Sequence, residues 1–536
     1  MPTQFRALPV FCIASALVWS AFVSAAPPAD LDARINTVIR EQGVPGMAVA
    51  IVEEGKTVVA RGYGVLKLGS GEPVDADTIF PIGSVSKAFT SAALAVLVDD
   101  GKIDWDDPVV NHLPGFQMYD PWVTREISIR DLLVHRSGLG LGAGDLLFVP
   151  RTSRSREDAV HRLRYIKPAT SFRSGYAYDN LLYIVAGQLI ESVSGQTWEA
   201  FVRDRLLKPA GMNDSTTESV VRFARENRAQ PHARLDGKMR GIGNQEVLDE
   251  KTSVISDAAA PAGGVLSSAN DMGRWLAIQL GHGALPGSGA DQPRLFSEEA
   301  GREMWTPQVL IPIRQFPEPI ADATPQFSAY ALGWDVEDYR GTKIITHGGA
   351  VFGAQTLVVL VPQKDVGFYL QINSEDGVVL RGMMNELLDH YLGAPSRDWV
   401  SDFATYKKER VAAALEALDA LASEPVAAKR SRPSLALSGY AGTFADPWYG
   451  PVEITQQKGK LRINFTLSPG MIGTLEHFQY DTFRTVWDDR TIENAYVTFA
   501  LDAEGKVSQI TLKAVSPLAD FSYDYQDLLL KPVPGP

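Results

Sequence analysis

The sequence predicts an α/β (α+β) chain in which one mixed sheet carries a helical insertion and is followed by a small antiparallel β-barrel or sandwich. Three observations carry this. β-Branched runs stand near the start (GMAVAIVEEG, KTVVARGYG) and return only at ALGWDVEDY, GTKIITHGGA, QTLVVLVPQ and VGFYLQIN. Between them, from about Ile129 to Leu280, the text is mostly helical. After Leu435 it changes to short strands separated by turn signals. Strands flanking a helical middle belong in one sheet with an insertion, and short strands at regular spacing read as a barrel or sandwich.

In chain order, Leu31, Ile35, Val38 and Ile39 have the spacing of a short amphipathic helix. Glu54-Gly55 separates the first two strands as a hairpin turn. The stretch from Ala88 to Val98 is almost wholly Ala, Leu, Val and Phe, which predicts a helix buried all round, with Gly101 as its stop. NLLYIVAGQLIESVSG predicts a second buried helix closed by Gly195, and VVLRGMMNELLDHYLG a third following the late strands. Gly393-Ala394-Pro395 marks a boundary, followed by helical text with apolar residues at Val400, Phe403, Val411, Leu415 and Leu418, then a linker, EPVAAKRSRPS. In the last unit PVEITQQ, KLRINF, NAYVTFALD and VSQITLKAV read as strands, with turns at Lys458-Gly459 and Glu504-Gly505.

At the N-terminus Arg6 precedes an apolar run from Ala7 to Val23 that ends in Ser24-Ala25-Ala26. That is the pattern of a cleaved secretory signal peptide, too short and too Pro-interrupted for a membrane span. The expected division is therefore signal peptide 1–26, catalytic unit 27–393, helical linker 394–433 and C-terminal barrel 434–532, with a periplasmic or secreted mature protein. The single cysteine, Cys12, falls in the leader, which excludes disulfides, thiolate metal sites and a cysteine nucleophile from the mature chain. A net charge of −13 over 536 residues argues against non-specific binding to nucleic acid or anionic membrane.

The buried helix begins oddly, because Ser84 and Lys87 stand at its head in FPIGSVSKAF, spaced i, i+3 on one face. A serine hydroxyl is a weak nucleophile that needs a base and a place for developing charge. A helix N-terminus offers positive dipole ends and free N–H groups, and Lys87 projects beside the hydroxyl. For lysine to act as a neutral base its pKa must fall from ~10.4 to near 7, which costs ~4–5 kcal/mol of environment. Alternatively, Lys87 stays charged and holds a nearby tyrosine as phenolate. The histidines show no metal-ligand spacing, so no metal or other cofactor is expected. No G-x-S-x-G elbow occurs.

Two further motifs follow in order, Tyr178-Asp179-Asn180 and His347-Gly348-Gly349. With IRDLLVHRSGL and PAGGVLSSANDMGRWL, the set S-x-x-K, Y-x-N and H-x-G resembles the β-lactamase-related serine hydrolases over roughly residues 30–392. This family includes class C β-lactamases, penicillin-binding peptidases and secreted esterases. LSGYAGTFADPWYGPVEI and LEHFQYDTFR are similar to the lipocalin-like barrel appended in one of its branches. The resemblance implies a β-lactamase/transpeptidase-like antiparallel sheet and an acyl-enzyme on Ser84. It leaves both proton acceptors open; the reading taken is Tyr178 as base with Lys87 as its electrostatic partner. Asn180 would bond the substrate carbonyl or Lys87, and the N–H groups of Ser84 and Ala350 would form the oxyanion hole. Gly348 and Gly349 would let the His347 strand approach substrate closely.

Three departures matter. His347 stands where β-lactamases usually carry lysine, removing a cation that receives a substrate carboxylate and demoting penicillin recognition; Arg136, Arg173 or Arg274 would have to compensate. Asp179 replaces a small polar residue, and the motif offers no role for it. His135 and Ser137 read as a structural turn. The expected activity is hydrolysis of small peptide or amide substrates, including D-residue-containing or non-ribosomal peptides. Peptidases of linearised microcystin lie in this neighbourhood, but no residue identifies that substrate. A carboxylesterase is the alternative, followed by a weak β-lactamase and a non-hydrolytic penicillin sensor. The appended barrel would shape a pocket, mediate oligomers or close over the cleft.

Overall fold

The computed structural model describes residues 26–287, 292–422 and 431–533. Of the expected signal peptide, all but Ala26 lies outside the described residues. Helix α1 (Leu31–Gln42) buries Leu31, Ile35, Val38 and Ile39 and ends at Gly43 in left-handed backbone. Strands β1 (Gly46–Glu53) and β2 (Lys56–Gly64) pair antiparallel. The turn residues Glu54 and Gly55 both have positive φ, 48° and 71°, the hand that matches strand twist.

The buried helix is α2 (Ser86–Asp99), in which every residue from Ser86 to Leu97 is buried. Its start differs from the sequence reading. Gly83–Val85 form a 3₁₀ turn that runs straight into the helix, so Ser84 sits one tight turn ahead of α2. The second buried helix is α3 (Leu181–Ser194), closed by left-handed Gly195. Helix α4 (Ala269–Leu280) carries Trp275, whose ring stacks on Phe89 of α2 with centroids 3.9 Å apart.

The late strands are β3 (Val309–Leu310), β4 (Ser328–Tyr330), β5 (Asp335–Tyr339), β6 (Thr342–Val351), β7 (Ala354–Val361) and β8 (Val366–Ile372). ALGWDVEDY is not one strand: only its Asp335–Tyr339 portion is, and Ala331–Trp334 turn back toward β4. Gly333 makes that turn at φ +81°, and an added Cβ there would lie 3.0 Å from the Lys87 carbonyl oxygen. The turn is therefore pressed against α2. Among the described residues the main sheet runs β2-β1-β8-β7-β6-β5-β4-β3, antiparallel throughout.

Both faces of this sheet are covered, because alternate residues of a strand point to opposite sides. From β1, Met47, Val49 and Ile51 join α1 and helix α5 (Val378–Leu392), while Ala48, Ala50 and Val52 face the core containing α2 and α4. After α5 comes the long helix α6 (Trp399–Ala422).

The C-terminal unit is a closed eight-stranded antiparallel barrel of β9 (Gly442–Asp446), β10 (Gly450–Gln457), β11 (Lys460–Phe465), β12 (Ile472–Gln479), β13 (Thr482–Trp487), β14 (Ala495–Leu501), β15 (Val507–Ala514) and β16 (Leu529–Pro532). Its interior is filled in part by mutually edge-on rings of Tyr440, Phe483 and Phe499, so here it is a packed core. Among the described residues no helix is long and apolar enough to cross a membrane.

Candidate active site

Lys87 is fully buried, and its Nζ donates to three acceptors: Ser84 Oγ at 3.1 Å, Asn180 Oδ1 at 2.6 Å and the Ala262 carbonyl at 3.0 Å. The PAGG segment noted in the sequence supplies that carbonyl. Thr90 of α2 donates to the neighbouring Pro261 carbonyl, and Ser86 Oγ accepts from Val265 N–H, which locks the segment against the helix. Burial lowers the lysine to about 7, against the opposing pull of Asp145 and Asp179.

Tyr178 lies beside this group, with its ring centroid 4.8 Å from Lys87 Nζ. Burial drives its phenol well above 10, and a hydrogen bond with Ser84 opposes that only in part. The tyrosine is thus held neutral while the lysine is released toward its neutral form. His135, in left-handed backbone at φ 59°, packs its ring against Tyr178 and Tyr330 at 4.2 and 4.4 Å. The turn read as structural thus lies behind the site, where buried His135 backs the Tyr178 ring. Asp179 acquires a role as well: its Oδ1 caps α3 by accepting from Leu182 N–H at 3.1 Å, and its charge favours the ammonium of Lys87.

His347 sits on β6, buried, with both ring nitrogens engaged. Nδ1 faces the Gly348 carbonyl at 2.6 Å and Nε2 faces Tyr330 Oη at 2.8 Å. A carbonyl only accepts, so Nδ1 carries the proton and Nε2 accepts from the tyrosine hydroxyl. Burial pushes this imidazole down to about 3, and neighbouring Lys87 adds to the effect, so it is neutral at physiological pH.

Glycine brings β6 onto the Ser84 turn. Gly83 has φ +53°, and a Cβ there would lie 2.6 Å from Ala350 N; one on Gly349 would lie 2.0 Å from the Ile82 carbonyl and 3.1 Å from Ser84 N. The backbone amides of Ser84 and Ala350 are thereby carried by two segments in direct contact. Ser84, Tyr178, Asn180, His347, Gly348, Gly349 and Ala350 all line one cavity of ≈ 850 Å³, and Lys87 lies behind it, bonded to Ser84 and Asn180.

Other expectations fail or were missed. Arg136 and Arg173 are both committed to Asp131, at 2.7 and 2.5 Å, and Arg274 does not line the cavity; Arg314, Arg381 and Arg410 do. Asp145, Tyr330 and Phe521 gave no sequence signal, since each is a lone residue outside any motif. Asp145 Oδ2 accepts from Asn180 Nδ2 at 2.8 Å, and burial pushes its carboxyl up to about 7. Among the described residues no group of three His, Cys, Asp or Glu side chains is placed to hold a metal ion.

The Beta-lactamase family model matches residues 31–426, and a domain of unknown function, DUF3471, matches 426–532. The chain is similar to unguisins hydrolases of two fungi. It is 26% identical to that of Aspergillus violaceofuscus, over 85% of this chain and 82% of the relative. It is 30% identical to that of Aspergillus campestris, over 77% and 74%. Penicillin-binding protein 4 of Amycolatopsis lactamdurans is 29% identical over 67% of this chain and 88% of its own. Among solved structures, the octameric penicillin-binding protein homologue of Pyrococcus abyssi aligns with a TM-score of 0.57 at 20% identity, covering 94% of this chain and 99% of that one. SurE aligns with a TM-score of 0.52, also at 20% identity, covering 94% and 98%. With a family model spanning most of its length and relatives that are themselves hydrolases, this chain belongs to the beta-lactamase family and is a serine hydrolase.

Proposed function

We propose that the protein hydrolyses amide bonds of small peptides through an acyl-enzyme on Ser84, with Lys87 as the general base. One observation carries the reading: a fully buried lysine, lowered to about 7, holds its Nζ 3.1 Å from Ser84 Oγ. Ser84 Oγ attacks the carbonyl carbon as its proton passes to neutral Lys87 Nζ. The negative charge that develops on the carbonyl oxygen is met by the N–H groups of Ser84 and Ala350. Collapse breaks the C–N bond, and the leaving amine takes a proton from the Tyr178 hydroxyl, which is refilled from Lys87. Water then attacks the ester, again losing its proton to Lys87, and releases the acid and Ser84.

This exchanges the roles first read for Lys87 and Tyr178. A phenol held well above 10 is a proton donor at neutral pH, whereas a lysine near 7 is an acceptor. Similarity to the unguisins hydrolases supports a hydrolytic role, and the uncharged His347 speaks against recognition of penicillins by a lysine-like cation. Export of the mature chain rests on the N-terminal pattern; N-terminal sequencing of the secreted protein should begin at Ala26 or Pro27. The decisive experiment compares an amide and an ester sharing one acyl group, with Ser84→Ala as control. Amide turnover approaching that of the ester supports the peptidase, and ester turnover alone would replace it with a carboxylesterase.

A further inference from the structure

The segment between β15 and β16 leaves the barrel and enters the catalytic half. Ser522 Oγ donates to Asp145 Oδ2 at 2.8 Å, across 377 residues of chain. The same carboxylate oxygen accepts from Asn180 Nδ2 at 2.8 Å, and Asn180 Oδ1 accepts from Lys87 Nζ at 2.6 Å. Four buried side chains thus form one string from the barrel to the lysine beside Ser84. Asp524 holds the loop of Asp145 in place by accepting from Gly144 N–H at 2.7 Å and Leu146 N–H at 3.0 Å. Just ahead of these anchors, Phe521 presents its ring edge-on to Tyr178, with centroids 5.8 Å apart, and lines the cavity.

The string has a direction. A side-chain amide has one accepting end and one donating end, and an ionised carboxylate only accepts. Asp145 therefore selects the orientation of Asn180 in which Nδ2 faces the carboxylate and Oδ1 faces Lys87. Without it the amide is free to turn its NH₂ toward the lysine, opposing one donor with another. Among the described residues the other oxygen of Asp145 has no hydrogen-bond partner, so there Ser522 and Asn180 aim the carboxylate through its side-chain bonds.

We propose that this barrel-borne segment completes the active site: Ser522 is a positioning residue that acts through Asp145 and Asn180 to hold Lys87 on Ser84, and Phe521 forms the substrate wall beside Tyr178. The catalytic unit is then incomplete without the barrel. This rests on the reading of Ser84 as nucleophile and Lys87 as its base. The string also couples to protonation, because the Ser522 hydroxyl favours the ionised form of Asp145, and ionised Asp145 favours charged Lys87. The other titratable groups facing Lys87 are Asp179, Tyr178, Tyr183, His135 and His347; those facing Asp145 are Asp520 and Asp524.

The test uses the full mature chain and its Ser522→Ala, Ser522→Thr, Asp145→Asn and Phe521→Ala variants. The readouts are kcat and KM from pH 5 to 9 on a hydrolysed substrate, and labelling by a serine-directed fluorophosphonate. Ser522→Ala should lower kcat about tenfold, the rate equivalent of one hydrogen bond, with little change in KM. It should also move the acid limb of kcat/KM to lower pH, since a more readily protonated Asp145 no longer holds the proton on Lys87. Ser522→Thr should restore both. Asp145→Asn should shift the limb the same way and cost more in kcat, and Phe521→Ala should raise KM. An unchanged kcat and limb in Ser522→Ala, or a loss without a limb shift that Thr does not rescue, would overturn the positioning role. An unchanged KM in Phe521→Ala would remove the substrate wall. Failure of the unaltered chain to label at Ser84 would instead overturn the nucleophile assignment on which the proposal stands.

Discussion

Ser84, Lys87 and Tyr178 are close together, yet burial affects them differently. Lysine is charged when protonated and tyrosine when deprotonated, so one dry environment lowers the first and raises the second. In the proposed mechanism that opposition divides the work between acceptor and donor. Ser84→Ala is expected to abolish both turnover and fluorophosphonate labelling; retained labelling would place the nucleophile elsewhere. Lys87→Ala and Tyr178→Phe should each lower kcat by at least ~10²-fold, the usual contribution of general acid–base catalysis. The pH profile follows from the same shift. Lys87 accepts a proton only when neutral, so kcat/KM should rise with pH through a midpoint near 7 and fall away below it. His347 titrates at about 3 and should add no step between pH 5 and 9. A midpoint that follows the usual histidine range and disappears in His347→Asn would reverse this.

At the level of elements, the site is the meeting of a tight turn, two helix ends and one strand. The turn Gly83–Val85 holds Ser84, α2 projects Lys87, Asn180 stands at the head of α3, and β6 presents Gly349 and Ala350. The approach of β6 to the turn depends on an absent side chain. Gly349→Ala would place a methyl 2.0 Å from the Ile82 carbonyl, so the strand must withdraw and carry Ala350 N–H with it. A large fall in kcat with a folded protein is expected, measured by turnover alongside circular dichroism. An unaffected kcat would remove Ala350 from the oxyanion site. The hairpin at Glu54-Gly55, the α3 stop at Gly195 and the four barrel strands read from alternation were all legible, because turn chemistry and periodicity are local. The ALGWDVEDY turn was not, since Gly333 bends there to fit against α2, a neighbour some 240 residues earlier by number.

Across the whole molecule, the barrel is joined to the catalytic half by buried polar contacts as well as by the chain. Asp524 is buried and satisfies two backbone N–H groups of the Gly144–Leu146 loop. Asp524→Ala would leave both donors without that partner, at about 1–3 kcal/mol each. A matching loss should appear in urea unfolding followed by tryptophan fluorescence; an unchanged midpoint would show that the loop needs no such anchor. The sequence by itself determined the nucleophile candidate, its lysine, the Y-x-N and H-x-G motifs, the sheet with its helical insertion, and a terminal unit of short antiparallel strands. These are written in spacing, turn residues and hydrophobic period, which neighbouring residues carry. The tertiary structure alone decided that Lys87 is dry enough to lose its proton, that His347 is tied to Tyr330, and that Ser522 reaches Asp145. Each of these depends on burial and on contacts between distant segments, and no local pattern encodes the distance between two such segments once the chain has folded.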